Sequence, residues 1–233
     1  MAQLEDIVRD TTRGRVARAS SREAVLLIPS AMGLNAFVDE KLIELAHAGF
    51  TALAWDPFYK YPDLPAEKRS AHTDTVQQDA AVQKEHVRWL DYLKKEVGAE
   101  RVGVLGFCMG ARMSLALPAA DARVNAAVSY YPTIREPKPA NVLDLLASAA
   151  SIPCPVLVHY PGLDHLTSHT SFHKLRAALE SRKDAGTFVH FHPRAHHGFQ
   201  SKTSEENRDD HAAGLLAWPA TLAFLKATLK TAS

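Results

Sequence analysis

Six short apolar runs, separated by stretches with helical spacing, constrain this chain more than any other feature. The first, AVLLI at 24–28, is continuously apolar and ends at Pro29, as a strand does when both its faces are covered in a parallel sheet. FTALAWD (50–56), RVGVLG (101–106), RVNAAVSYY (123–131), PVLVHY (155–160) and GTFVHFH (186–192) follow at intervals that leave room for crossover helices. Phe37, Leu42, Leu45 and Ala46 predict a helix stopped at Gly49. Val76, Ala80, Val87, Leu90, Leu93 and Val97 predict one long amphipathic helix over 73–97, closed by Gly98. Further helices are expected over 109–117, just after Pro139, over 172–182 and over about 207–229, where Pro219 should kink or restart the last. Residues 56–72, with Pro57, Pro62 and Pro65, read as a loop, and a short strand or hairpin is expected around 7–17. The alternation implies one α/β domain over 1–233, with a mostly parallel sheet, helices on both faces and right-handed crossovers.

Charge narrows the partners. Twenty-seven basic residues against 26 acidic ones leave a net charge of +1 with no basic cluster, which argues against nucleic acid or a membrane surface. The first twenty residues mix charges with isolated aliphatics, as no signal peptide does, and Ala24–Ile28 is far too short to span a bilayer. Cys108 and Cys154, the two cysteines, cannot build a disulfide framework and fit a reducing compartment. A soluble, cytoplasmic protein is expected, monomeric or weakly homo-oligomeric.

In an open α/β sheet, ligands bind beyond the carboxyl ends of the strands, so the loops after them carry the function. One is distinctive. Gly106-Phe107-Cys108-Met109-Gly110 has the form G-x-C-x-G at a strand-to-helix junction, the nucleophile-elbow pattern with cysteine for serine. Composition alone would produce about 0.004 copies in a chain of this length. A thiol at a helix N-terminus is favoured as thiolate and lies beside main-chain N–H groups suited to an oxyanion. Those donors are expected at Met109 and, in the loop after the first core strand, Ala31. In isolation Cys108 could instead be a small hydrophobe filling a tight turn, the reading favoured for Cys154 between Pro153 and Pro155.

A thiol nucleophile needs a base, and the base an orienting acid, in the chain order nucleophile, acid, histidine. Asp164 follows PVLVHY and His197 follows TFVHFH, at the same sheet end as Cys108. His196 is the rival base, and Asp164 could alternatively cap a helix. Trp55, Phe58, Tyr59 and Tyr61 are candidates for an aromatic pocket wall, with Ser30, His196 and Phe199 as further pocket residues; an ordinary packed loop is the competing reading. Nine of twelve histidines lie after residue 158, but His165, His169 and His173 lack the glutamate of a zincin pattern, so neither metal nor cofactor is expected.

GFCMG, NAF after the first core strand, an Asp after PVLVHYPG, and HHGF together resemble the dienelactone hydrolase family from about residue 24 to the C-terminus. The resemblance implies an α/β-hydrolase fold, a Cys108-Asp164-His197 triad with Ala31 and Met109 as oxyanion donors, and opening of a small-molecule ester or lactone through an acyl-enzyme. Two departures stand out. Ser30 occupies the place of the family's glutamate, and Ala111 that of a second glycine. The family's arginine clamp is not matched by Lys60, Lys68, Arg69 or Lys202, so an anionic substrate is not carried over. The lost glutamate leaves one other reading, a hydrolase-like protein that binds a small molecule without turning it over.

Overall fold

A hairpin of β1 (Leu4–Arg9) and β2 (Thr12–Ala17) opens the chain in the computed structural model, which describes residues 3–9, 11–76, 78–201 and 207–230. It joins β3 (Glu23–Ile28), β4 (Thr51–Trp55), β5 (Arg101–Phe107), β6 (Val124–Tyr130), β7 (Val156–Leu163) and β8 (Thr187–His196) in one eight-stranded sheet of order β1-β2-β4-β3-β5-β6-β7-β8. The hairpin pairs antiparallel; β4 through β8 pair parallel. The expected α/β fold and N-terminal hairpin are both present.

Helices α1 (Ala36–His47) and α7 (Arg208–Leu229) cover one sheet face, packing Leu42, Leu45, Ala217 and Leu225 against Val25, Leu27, Leu105 and Val128. On the other, α3 (Asp79–Lys95), α4 (Met109–Ala120), the short α5 (Leu145–Ala149) and α6 (His169–Glu180) bring Leu90, Met113, Leu117, Leu145, Leu175 and Leu179 against Leu26, Val104 and Val158. Each fully buried strand residue of this kind contributes about 1.5–3 kcal/mol of transfer free energy, which is why β3 and β5 are apolar on both faces. Asn35 caps α1 through Val38 N, and Gly49, at φ +90°, ends it as expected.

Two sequence expectations are corrected. Residues 66–72, read as loop, belong to a polar helix α2 (Ala66–Val76) that Pro65 precedes; it lacks an apolar stripe, so periodicity misses it. The predicted long helix over 73–97 is broken at Gln78, which is extended (φ −91°, ψ 131°). The cause is long-range: Asp79 N donates to Asn141 O at 2.9 Å, and the Asp79 carboxylate accepts from Leu143 N and from Arg112. Pro219, where a kink or restart is expected, lies inside an α7 that runs through it without a restart. It sits on the exposed side, and Leu215, whose carbonyl loses a partner, is there too, open to solvent. Among the described residues, α7 is the one helix long and apolar enough to cross a membrane. Here it buries Ala213, Ala217, Trp218, Thr221, Leu225 and Leu229 in the protein.

Strand register brings the functional loops to one edge. Ile28 lies opposite Gly106, Phe107 opposite Tyr130, and Tyr130 opposite His159. A bulge between Pro161 and Leu163 then sets Leu163 against His196. Gly162 makes the bulge possible, because a Cβ there would collide with the Pro193 backbone.

Gly214, inside α7, has room for a methyl group, its nearest neighbours being Phe199 O at 3.7 Å and Gln200 Oε1 at 3.8 Å. Gly214→Ala should therefore raise stability by about 0.5–1 kcal/mol in urea unfolding, and a loss would contradict the open packing there.

Candidate active site

Cys108 adopts φ 57°, ψ −114°, a conformation costing a non-glycine residue about 1–3 kcal/mol, so its surroundings must impose it. Cys108 N donates to Tyr130 O at 3.0 Å, and Cys108 O accepts from Ala111 N, Arg112 N and Thr133 N at 3.1, 3.2 and 3.4 Å. The flanking glycines are steric necessities. A Cβ on Gly106 would strike the Gly110 carbonyl, and one on Gly110 would strike the carbonyls of Ile28 and Pro29. This contact presses the exit of β3 against the first turn of α4. The Ala31 and Met109 backbones, both buried, therefore lie on adjoining segments, and Met109 is the first residue of the helix, where amides have no intrahelical acceptor. Cys108 itself is half-buried.

His197 Nδ1 donates to Asp164 Oδ2 at 2.9 Å and Oδ1 at 3.1 Å, and the Asp164 side chain has no exposed surface. Asp164 Oδ1 also accepts from Leu166 N at 2.7 Å and Thr167 N at 3.0 Å, so the turn after β7 holds the carboxylate. Burial alone would lower the His197 pKa; hydrogen bonding to Asp164 and the adjacent Cys108 outweigh it and push the imidazole up to about 9. Its other nitrogen, Nε2, is buried and has no hydrogen-bond partner among the described residues.

The structure does not bring the remaining candidates to this point. His196 turns away: its Nδ1 lies 3.3 Å from Asp210 Oδ1 and accepts from Asn207 Nδ2 at 3.1 Å, fastening β8 to the start of α7. Phe199 is fully buried core, 4.9 Å from the His192 ring. Trp55 donates from Nε1 to Thr12 Oγ1 at 3.0 Å. With Tyr59 and Tyr61 it lines a cavity of about 360 Å³ that contains none of Cys108, Asp164 and His197. Phe58 packs its ring on Gly33, in the loop that carries Ala31, and Arg69 lies over that ring at 5.2 Å. Ser30 Oγ accepts from Met32 N at 3.3 Å inside its own turn. Lys202 lies outside the described residues.

Two features escaped sequence reasoning. Tyr131, at φ 45°, sets its ring 4.9 Å from that of His197; burial, chiefly, and the nearby Cys108 raise its pKa. A doubled tyrosine ending a strand carries no signal of this. Within the histidine-rich third, His159 Nδ1 meets His192 Nε2 at 3.2 Å and His159 Nε2 meets Thr221 Oγ1 at 3.0 Å, whereas His165, His169, His173, His190 and His211 are exposed. His165 is exposed and precedes α6, so it does not share a helix face with His169 and His173. Among the described residues no group of three His, Cys, Asp or Glu side chains is arranged to hold a metal ion.

A sharp strand-to-helix turn presenting a cysteine at the carboxyl edge of a parallel sheet, beside an imidazole held by a carboxylate from the next loop but one, defines an α/β-hydrolase-type site. The sequence profile of the dienelactone hydrolase family matches residues 12–229, and the chain belongs to that family. It is 31% identical over 173 residues to a Bradyrhizobium sp. protein assigned as 2-oxo-3-(5-oxofuran-2-ylidene)propanoate lactonase, a match covering 70% of this chain and 65% of that one. It is 26% identical over 193 residues to a carboxymethylenebutenolidase homolog of Xenopus tropicalis, covering 81% and 74%. Among solved structures, one from Klebsiella pneumoniae subsp. pneumoniae assigned as a dienelactone hydrolase superposes with a TM-score of 0.81 at 19% identity, covering 96% and 98%.

Two outcomes test this geometry. Gly110→Ala should cost about 1–3 kcal/mol or more in denaturant unfolding, because the carbonyls it meets belong to β3's exit and cannot yield. His197 binds its proton more tightly folded, at about 9, than at its ordinary 6.5. The stability it lends is complete below the lower value and is lost as pH rises through the higher. Thermal unfolding should show that loss, and Asp164→Asn should flatten it; equal slopes in the two proteins would remove Asp164 as its cause.

Proposed function

We propose that this protein hydrolyses an ester, lactone or thioester by covalent catalysis, with Cys108 as nucleophile, His197 as base and Asp164 as its orienter. One observation carries the reading: Asp164 occupies one nitrogen of His197, while the other is buried, unpartnered and on a ring electrostatically coupled to Cys108. Cys154 provides the contrast. It is buried, and burial pushes its thiol up to about 11, as suits an inert packing residue.

In the proposed reaction the Cys108 proton passes to His197 Nε2 and the thiolate adds to the substrate carbonyl, whose oxygen takes the negative charge beside Met109 N and Ala31 N. The tetrahedral adduct collapses, the carbon–oxygen bond breaks, and the imidazolium returns its proton to the leaving alkoxide. In a lactone that alkoxide remains tethered to the acyl group. His197 then takes a proton from water as its oxygen attacks the thioester, and the Cys108 sulfur leaves and is reprotonated. These steps require neither metal nor cofactor. The lactonase and butenolidase names of the relatives favour a lactone or enol ester substrate, and two cysteines without a disulfide favour a reducing, cytoplasmic setting.

With p-nitrophenyl acetate, a burst followed by turnover is expected, together with an acyl mass adduct on Cys108. Cys108→Ala and His197→Ala should each lower kcat at least about 10³-fold, and Asp164→Asn about 10²-fold or more. Tight binding of a lactone with neither burst nor adduct would favour the receptor reading instead.

A further inference from the structure

Helix α4 is buried along its first ten residues, which are apolar or small apart from Arg112. Arg112 is 3% exposed and lies one turn beyond Cys108. Its Nε and Nη2 donate to Asp79 Oδ2 and Oδ1 at 2.9 and 2.7 Å, a planar two-pronged pair, and its Nη1 donates to Thr133 Oγ1 at 2.9 Å. Burying such a pair gains little stability over well-packed apolar residues of the same volume, so its use in an apolar helix asks for another explanation.

The partners supply one. Arg112 N and Thr133 N both donate to Cys108 O. Thr133 lies two residues beyond Tyr131, which is held at positive φ with its ring on His197. Asp79 opens α3 where the chain breaks at Gln78, and also accepts from Leu143 N at 2.8 Å. One guanidinium thus ties the elbow, the segment that touches the base, and the start of α3. A lysine cannot, since a point charge lacks the rigid fork that makes three bonds in a plane.

We propose that Arg112 and Asp79 are positioning residues for thiol activation: their buried pair fixes where Cys108 stands relative to His197. This rests on the function proposed above, in which Cys108 must pass its proton to His197.

The test compares wild type, Arg112→Lys and the double variant Asp79→Leu/Arg112→Met. Three quantities are measured: melting temperature, mass-mapped alkylation of Cys108 by iodoacetamide across pH, and kcat and KM for p-nitrophenyl acetate. The double variant replaces both charges with apolar groups but leaves Leu143 N without its acceptor, so it should stay folded and melt somewhat below wild type, while its kcat and alkylation rate at neutral pH fall about 10²-fold with KM changed less than about threefold. Arg112→Lys keeps the charge and should still lose about tenfold in both rates. Wild-type rates in a stably folded double variant would overturn the proposal. So would wild-type rates in Arg112→Lys, including the case in which the double variant fails to fold. A wild-type Cys108 that alkylates no faster than Cys154 and never acylates would instead defeat the hydrolase reading itself, before any variant is made.

Discussion

The site depends on a steric constraint at one turn. β5 must end, reverse and start α4 within the space left by the carbonyls of Ile28 and Pro29, and only glycine at 106 and 110 permits it. The price is a cysteine at φ 57°, held by its own amide on Tyr130 O and by three donors on its carbonyl. Those bonds reach β6, α4 and the segment after β6, so the conformation of Cys108 is set by the whole centre of the sheet. The same constraint puts the sulfur at a helix N-terminus and brings the exit of β3 alongside. Nucleophile, dipole and amide donors are thus consequences of one close contact.

Electrostatics then separates one histidine from its neighbours. His86, His159 and His192 are all held below their ordinary pKa by burial, His86 to about 3 and His192 to about 4. Burial is also the largest single influence on His197, in the same direction, yet that residue rises to about 9. The difference is a carboxylate at 2.9 Å and an adjacent thiol, where His159 has only another imidazole and a hydroxyl. Asp164 needs support of its own and draws it from Leu166 N and Thr167 N. Thr167 Oγ1 in turn donates to Pro132 O and accepts from Ile134 N, so the acid's turn is bonded to the residues just past Tyr131. Acid, base and nucleophile share one scaffold segment.

Sequence shows those parts of the fold that local pattern determines. Buried strands such as AVLLI and the G-x-C-x-G turn are local, because both faces of a strand, or both sides of a turn, write their demands on adjacent residues. The break at Gln78 is not. Apolar spacing runs through it, and only a carboxylate answering to Arg112 and Leu143, 33 and 64 positions away, opens the helix there. The aromatic residues at 55, 59 and 61 mislead for a related reason: composition marks a pocket wall, but which cavity it faces is decided by the hairpin and α3 that close over it. His196 and His197 look alike in sequence. His196 ends β8 and turns to Asp210, whereas His197 opens the turn beyond the strand and reaches Asp164.

Ser30 shows how a local substitution is read against that scaffold. A carboxylate on the β3 exit would add negative charge beside the elbow; the serine spends its oxygen on Met32 N and adds none. In the proposed mechanism the negative charge that develops on sulfur as its proton passes to His197 faces the imidazolium, whose other nitrogen Asp164 already holds. The partial positive charge at the N-terminus of α4 is the compensation the fold provides there, with roughly half an elementary charge available within the first turn. It acts only where the sulfur stays at the helix end. With no second carboxylate to repel it, that developing charge depends on His197 and the helix end, so the glycines at 106 and 110, which set the geometry of the elbow, are electrostatic as well as steric requirements.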